Sequence, residues 1–402
     1  MSGGKTQDPD LEAISHFKEY LRIPSVHPDV DYDDCVVFLK SRAADLGLPI
    51  SVFEVAPRKP VVVISWFGSQ PQLPSLLLNS HMDVVPVFPE KWSHAPFSAD
   101  TDSKGNIYAR GSQDMKCVGI QYLEAVGRLI KANQKLKRTI HVSFVPDEEI
   151  GGQTGMKIFV ESDDFRKLNV GCALDEGIAS PDESFHFFYG ERSLWHVFIH
   201  CMGTPGHGSL LHDDTAGEKI AIVIEKFMAR RAEEKKKLKD NPNLTVGDVT
   251  TINLTTLEGG VQTNVVPPEL TVGFDCRLSV DTDHKEFENW INDICQSAGD
   301  GITIEYEQKL DYVEPTRLTS SNPWWIAFKA KTDELGLKLK CNIFPAATDS
   351  RYIREVGIPA FGFSPMNHTP VLLHDHDEYL NEKIFLRGID IYCKLLPALA
   401  NL

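Results

Sequence analysis

The chain has 402 residues, of which 42% are hydrophobic and 24% are charged, as in ordinary globular proteins with a substantial core. This length predicts two or three domains. The formal net charge of −16 disfavours a polyanionic partner, so we expect no binding of nucleic acid. The basic run RRAEEKKKLK, residues 230–239, is mixed with glutamates and is interpreted as the solvated face of a helix.

The compartment is inferred from the N-terminus and the cysteines. The N-terminal sequence MSGGKTQDPD has no apolar core of the kind that a signal peptide needs, and the apolar runs of the chain are too short to span a bilayer. The eight cysteines are scattered and form no CxxC pair, which is typical of reduced, buried side chains. We therefore expect a cytoplasmic protein that binds no membrane.

Apolar strands alternate with amphipathic helices through the first half of the chain. Strands are predicted at residues 61–66, 76–79, 140–145 and 171–174. A helix with one apolar stripe is predicted to follow Asp114. This alternation predicts an α/β domain with a mostly parallel sheet that is covered on both faces.

The pattern changes near Gly190, where a smaller module begins. Its predicted elements are a strand at 194–202, a helix at about 215–238, strands at 249–257 and 270–280, a helix at about 283–297 and a strand at 302–310. The order β-α-β-β-α-β is typical of a ferredoxin-like α+β fold. We therefore predict that residues 191–311 are inserted into a first domain made of residues 1–190 and 312–402.

Side chains that can bind a metal follow the predicted strands of the α/β domain. The strand at 76–79 leads to His81 and Asp83, the strand at 140–145 leads to Asp147, Glu148 and Glu149, and the strand at 171–174 leads to Asp175 and Glu176. Because sites in open α/β sheets assemble at the carboxyl ends of strands, we expect these side chains to lie close together.

Two further residues are candidates for this group. Asp114 opens the predicted helix and can lie at the same edge, although an ordinary helix N-cap would also explain it. His374 directly follows an apolar run, whereas His376 is interpreted as a supporting or surface residue.

The acids at 147–149 repel one another where the strand leaves the core, unless a cation compensates them. In isolation, a solvated turn would also explain them. An imidazole with several carboxylates and no thiolate is a ligand set that suits a catalytic zinc site. The carboxylates of Asp83, Asp114, Glu148, Glu149 and Glu176 carry a total charge of −5, which one divalent ion leaves at −3 and two leave near −1. We therefore expect two metal ions.

Several motifs follow one another along nearly the whole chain. They are LLLNSHMDVVP, YARGSQDMKCVGIQYLEAV, FVPDEEIGG, ALDEG, GTPGHGS, TNVVPP, AATDSRY and LLHDHDE. This series resembles the motifs of the co-catalytic zinc amidohydrolase and carboxypeptidase family. The resemblance implies a di-zinc exopeptidase-like catalytic domain with an inserted lid domain that forms a homodimer. It also implies cleavage of N-acyl-L-amino acids to a carboxylate and a free L-amino acid.

The resemblance also implies roles for single residues. It implies that His81 and Glu176 hold one zinc, that Glu149 and His374 hold the other, and that Asp114 bridges them. It further implies that the carboxylate of Asp83 orients the His81 ring and that Glu148 is the general base, which leaves Asp147 to the turn.

Substrate contacts are implied in the same way. His207 resembles the family's donor to the tetrahedral oxyanion, acting in the site of the partner subunit, although a turn histidine is the alternative. Arg351 resembles a clamp for the substrate carboxylate, which a guanidinium matches with two hydrogen bonds. Asn264 and Arg277 resemble lid residues that contact the substrate, while pairing of Arg277 with neighbouring acids is the alternative.

Two other functions remain open at this point. A di-zinc dipeptidase on the same scaffold would require a site for a free α-amine. A non-catalytic zinc-binding or scaffold protein would need neither Glu148 nor His207. The sequence contains no GxSxG, HExxH, P-loop or GxGxxG motif, so serine hydrolases, HExxH metalloproteases and nucleotide-dependent enzymes are not supported.

Overall fold

The computed structural model describes residues 8–402. The prediction about a signal peptide rests mainly on residues 1–7, which lie outside the described residues. The chain divides into two compact units. The first unit consists of the chain up to Tyr189 together with Thr316–Cys341 and Thr348–Leu402. The second unit consists of Gly190–Pro315 and Asn342–Ala347. Within residues 8–402, every helix is too short or too polar to cross a bilayer.

The elements are numbered in chain order. Helices α1 to α10 are Pro9–Leu21, Asp33–Leu46, Lys116–Lys131, Met156–Glu161, Asp163–Lys167, Ala216–Asp240, His284–Ala298, Pro323–Glu334, Ser350–Glu355 and Glu382–Ala400. Strands β1 to β17 are Ile50–Ala56, Lys59–Trp66, Ser75–His81, Asp100–Thr101, Asn106–Tyr108, Ile140–Val145, Val170–Asp175, Ser184–Glu191, Ser193–Met202, Gly206–His207, Thr251–Gly259, Val265–Val266, Glu269–Leu278, Ile302–Lys309, Lys338–Phe344, Ala360–Gly362 and Tyr379–Asn381. Short 3-10 turns cover Pro89–Lys91, Glu148–Ile150 and Val246–Asp248.

The first unit is built on a mixed sheet with the strand order β1-β2-β6-β3-β7-β16-β8-β15. Its central pairs, β6 with β3, β3 with β7 and β7 with β16, are parallel, and antiparallel pairs flank them. On β2, Val62 and Ile64 face one hydrophobic cluster while Val61 and Val63 face another. Both faces of the sheet are therefore covered, which confirms the predicted α/β class.

Two strands of this sheet extend further at their carboxyl ends than the sequence predicted. The prediction ended the strand at Asn79, yet Ser80 and His81 continue the parallel ladder with β6. Likewise β7 extends to Asp175. Pairing with neighbouring strands fixes the backbone up to these polar residues, so His81 lies within the sheet and Glu176 directly follows it.

The second unit contains an antiparallel sheet with the strand order β11-β13-β9-β14. Helices α6 and α7 complete the predicted β-α-β-β-α-β order. Its core includes Phe227, whose ring stacks on Phe274 with centroids 4.1 Å apart. The basic run at 230–239 lies on α6, where most of its side chains are exposed.

Candidate metal and catalytic site

Two histidines and several carboxylates converge at the carboxyl edge of the first unit's sheet. The potential ligand atoms of His81, Asp114 and Glu149 lie within 4.8 Å of one another, and so do those of His81, Glu148 and Glu176. Because β3, β6 and β7 are neighbours and parallel, their ends bring these side chains together. The predicted gathering at a sheet edge is therefore observed.

The Asp114 carboxylate lies between the two imidazoles. Its Oδ1 is 3.0 Å from His81 Nε2, and its Oδ2 is 3.2 Å from His374 Nε2. His81 Nε2 also lies 3.8 Å from Glu176 Oε2, and His374 Nε2 lies 3.0 Å from Glu149 Oε2. The five predicted ligands thus form two histidine–carboxylate pairs on either side of one shared carboxylate.

Burial and like charge govern the electrostatics of this cluster. Burial and the Glu176 carboxylate raise the pKa of Glu148, while burial and Asp114 raise the pKa of Glu149 to about 7. Burial and Asp114 also raise the pKa of Glu176. Burial acts in the same direction on Asp114, but hydrogen bonds with His374 and His81 hold its pKa well below its usual range.

These residues fit a divalent cation. The cluster supplies imidazole nitrogens and carboxylate oxygens without a thiolate, which is the donor set of catalytic zinc sites. Within residues 8–402, the buried Oε1 of Glu149 has no hydrogen-bond partner. A buried carboxylate oxygen without a donor is costly, and coordination to a metal would satisfy it.

The turn that carries Glu148 and Glu149 is anchored through Asp147. This residue has a left-handed backbone with φ of 63°, and its buried carboxylate accepts hydrogen bonds from Tyr32 Oη at 2.8 Å and from Lys59 Nζ at 2.8 Å. Thr154 Oγ1 donates to the same carboxylate at 2.5 Å. Burial would raise the pKa of Asp147, but the hydrogen bonds from Lys59, Thr154 and Tyr32 lower it. Asp147, which the sequence left to the turn, is thus its charged anchor.

Asp83 contacts His81 and the turn through different atoms. Its backbone carbonyl accepts a hydrogen bond from His81 Nδ1 at 2.8 Å, whereas its carboxylate lies 3.7 Å from that nitrogen. The carboxylate instead accepts the backbone N–H groups of Glu148 at 3.2 Å and Glu149 at 3.0 Å. The carbonyl fixes the proton on Nδ1 and leaves Nε2 facing the cluster.

Glu378 is a buried carboxylate to which the sequence gave no role. It accepts hydrogen bonds from Arg110 Nη1 at 2.7 Å and from the backbone N–H groups of Gly111 at 3.1 Å, Gln113 at 2.6 Å and Asp114 at 3.3 Å. It therefore ties the segment before Asp114 to the loop that carries His374. In the sequence, Glu378 can be recognised only as an acidic residue four positions after His374, and nothing distinguishes it there from its acidic neighbours.

The Arg351 guanidinium lies beside the turn that carries Glu148 and Glu149. Its Nη2 donates to the carbonyl of Gly151 at 2.7 Å, and Tyr352 Oη donates to that carbonyl at 2.6 Å. The arginine is only 5% exposed. The first unit therefore brings the predicted carboxylate clamp to the turn that carries the predicted base.

The remaining candidates lie in the second unit. His207 of β10 pairs with Val265 of β12, and the N–H of Gly208 donates to the carbonyl of Asn264 at 2.8 Å, so His207 and Asn264 are neighbours. His207 Nδ1 accepts the backbone N–H of Ser209 at 3.2 Å. A neutral His207 consequently carries its proton on Nε2, which suits a donor to an oxyanion.

Arg277 pairs with a neighbouring acid, which is the alternative to a substrate contact that the sequence left open. Its Nε and Nη2 donate to the two carboxylate oxygens of Asp275, at 2.8 Å and 3.0 Å. A contact with substrate therefore stays a prediction for this residue.

Comparisons with known proteins show similarity to a family of peptidases and to aminoacylases. The model of peptidase family M20/M25/M40 matches residues 77–398. Aminoacylase-1 of Mus musculus is 53% identical over 398 residues, which cover 98% of this chain and 98% of that protein. Aminoacylase-1 of Homo sapiens is 52% identical over 397 residues, which cover 99% of this chain and 97% of that protein. The fold is similar to that of an M20 family metallo-carboxypeptidase from Sulfolobus solfataricus, with a TM-score of 0.75 and 19% identity over 97% of this chain and 99% of that chain.

The contacts of Glu378 lead to a prediction about stability. Glu378→Gln removes the charge that compensates the buried Arg110, so we expect the free energy of unfolding to fall by about 3–5 kcal/mol. The same substitution at the exposed Glu90 should change it by less than about 0.5 kcal/mol. Guanidinium unfolding followed by circular dichroism measures both, and equal effects would contradict this role for Glu378.

Proposed function

Because this chain belongs to peptidase family M20/M25/M40, we propose that it hydrolyses N-acyl-L-amino acids to a carboxylate and a free L-amino acid. Its full-length similarity to aminoacylase-1 supports this substrate class, which includes N-acetyl amino acids. The observation that carries the proposal is the convergence of two histidine–carboxylate pairs on Asp114, beside the partly buried Glu148. The substrate is a small molecule.

We propose that two zinc ions per chain are the cofactors. His81 and Glu176 would hold one ion, Glu149 and His374 would hold the other, and Asp114 would bind both. The position of Asp114 between the two imidazoles supports the bridging role. When bound, zinc would lower the pKa of a water molecule towards neutrality and so supply a hydroxide nucleophile.

In this proposal Glu148 moves the proton. Its carboxylate accepts a proton from the attacking water and delivers it to the leaving nitrogen, which departs as the free amine. Burial and Glu176 raise the pKa of Glu148, as is typical of general acid–base residues that work near neutral pH. A non-catalytic zinc protein would not need such a group in addition to its ligands.

Other side chains of the chain would bind the substrate and the transition state. Arg351 would form two hydrogen bonds with the substrate carboxylate, and its position beside the catalytic turn supports this. The Nε2–H of His207 would donate to the tetrahedral oxyanion. Asn264, the neighbour of His207, would also contact the substrate. Arg277 would do so if its guanidinium left the carboxylate of Asp275 and bound the substrate instead.

We further propose a homodimer formed through the second unit. Strand β11 is an edge of its sheet and exposes Leu257 at 61%. Leu211 and Val261 are also almost fully exposed in this unit. Apolar side chains on an unpaired edge favour association with another copy.

A cytoplasmic location is also proposed, since none of the eight cysteines forms a disulfide bond.

The adjacent glutamates are predicted to differ in function. Glu148→Gln should leave about two zinc ions bound per chain but lower kcat by at least about 10²-fold, because it removes the proton acceptor. Glu149→Gln should lower the zinc content, because it removes a ligand. Elemental analysis and kinetics with N-acetyl-methionine measure these effects. Equal loss of metal by both variants would refute the assigned roles, and full activity of the wild type with one zinc would refute the two-metal mechanism.

The substrate class can be tested with matched compounds. We expect rapid hydrolysis of N-acetyl-methionine and slow hydrolysis of its amidated form and of an unblocked dipeptide. Arg351→Lys keeps the charge but loses the planar fork, so it should raise KM for N-acetyl-methionine. Faster hydrolysis of the dipeptide would favour a dipeptidase instead, and equal turnover of acid and amide by the wild type would exclude the clamp. A series of increasing acyl length would then define the preferred chain.

Sharing of His207 between subunits can be tested with two inactive variants. In a heterodimer of His207→Ala and Glu148→Gln chains, one site combines the intact Glu148 of the first chain with the intact His207 of the second. Co-refolding should therefore restore activity if His207 acts in the partner's site. If His207 acts in its own chain, every site lacks one group, so heterodimers that form and stay inactive would contradict sharing. Each variant refolded alone is the control.

A further inference from the structure

A buried histidine from the N-terminal part of the chain contacts the catalytic region through Asp83. His27 is 8% exposed, and its Nε2 lies 2.8 Å from Asp83 Oδ2. Because a carboxylate only accepts hydrogen bonds, this nitrogen carries the proton. The backbone N–H of His27 also donates to the carbonyl of Val84 at 3.1 Å, so its main chain is fixed beside the residues that follow β3.

The Asp83 carboxylate joins His27 to the turn that carries the predicted base. Its Oδ1 accepts the N–H of Glu148, and its Oδ2 accepts the N–H of Glu149. These are the first N–H groups of the 3-10 turn Glu148–Ile150, which lack partners within the turn itself. Rotation of the carboxylate would break both hydrogen bonds.

His27 opposes this rotation from the other side. It donates to Oδ2, the same oxygen that accepts the N–H of Glu149, and Asp83 is fully buried. The hydrogen bond with Asp83 raises the pKa of His27 despite its burial. Both side chains are largely withdrawn from solvent, so the imidazole N–H is the side-chain donor on which the orientation of the Asp83 carboxylate depends.

We propose that His27 is a positioning residue for hydrolysis, whose Nε2–H holds the Asp83 carboxylate in the orientation that fixes the backbone of Glu148 and Glu149. The proposal rests on the proposed roles of Glu148 as base and Glu149 as metal ligand. The hydrogen bond of the His27 side chain is with Asp83 and not with any of the five proposed ligands, so we expect its effect on the turn to pass through Asp83.

Substitutions of similar size separate the hydrogen bond from simple packing. His27→Leu removes the donor, so kcat for N-acetyl-methionine should fall about 10- to 100-fold, the range typical of residues that support metal ligands, with KM within about twofold. His27→Gln keeps an N–H donor at similar reach and should recover most of kcat. His16→Leu is the matched control, because His16 pairs with Glu124 at 2.7 Å on another surface of the first unit, and it should leave kcat within about twofold.

A double-mutant cycle tests whether the effect passes through Asp83. In the Asp83→Ala background, His27→Leu should cause little further loss of kcat, because the acceptor of the His27 hydrogen bond is already absent. Additive losses would overturn the proposal. It would likewise be overturned by wild-type kcat in His27→Leu, or by equal losses in His27→Leu and His27→Gln.

Hydrogen exchange gives a readout that does not require activity. In the full-length His27→Leu protein, the amides of Glu148 and Glu149 should exchange about two- to tenfold faster than in wild type, while His16→Leu leaves them unchanged. Unchanged exchange in His27→Leu would overturn the proposal. If the wild type does not hydrolyse N-acyl amino acids, the proposed function fails, and the exchange measurement still decides whether His27 holds the turn.

Discussion

The carboxylates of Asp114, Glu148, Glu149 and Glu176 lie close together at the edge of a sheet, where they are buried or partly buried and repel one another. Like charges in a low dielectric favour protonation of some groups or compensation by a cation. Asp114 differs from the others because both of its oxygens face imidazoles, so its pKa falls while the others rise. The same contrast supports the proposed role of Asp114 as the carboxylate shared by two metal ions.

A cluster of this kind requires a rigid backbone, and the turn at 146–152 is held at three different places. Asp147 is fixed by Tyr32 and Lys59, and the carbonyl of Gly151 is fixed by Arg351 and Tyr352. Between these points, Asp83 holds the N–H groups of the two glutamates. Each contact involves a different group of the turn, so the directions of Glu148 and Glu149, the proposed base and the proposed ligand, are set before any substrate binds.

The sequence predicted the parts of this arrangement that depend on local pattern. Alternating strands and helices predicted the α/β sheet, and the carboxyl ends of its strands located His81, Glu149 and Glu176. Their individual roles came from the family resemblance, since spacing alone does not separate a ligand from a base. Glu378 and His27 could not be found in this way, because their contacts join residues that are 264 and 56 positions apart.

The surroundings of His207 bear on its proposed role as a donor to the oxyanion. Its ring is exposed in the second unit, and the N–H of Ser209 occupies Nδ1. An N–H donor in water stabilises an oxyanion only weakly, because water competes for both groups, whereas the same donor in a water-excluding site is far more effective. Under the proposed function, His207 must therefore meet the reacting carbonyl on a surface that excludes water. An exposed apolar edge on the same unit offers a physical reason for that surface to come from a second chain, since burial of Leu257 and its neighbours would stabilise the assembly that brings His207 to a substrate.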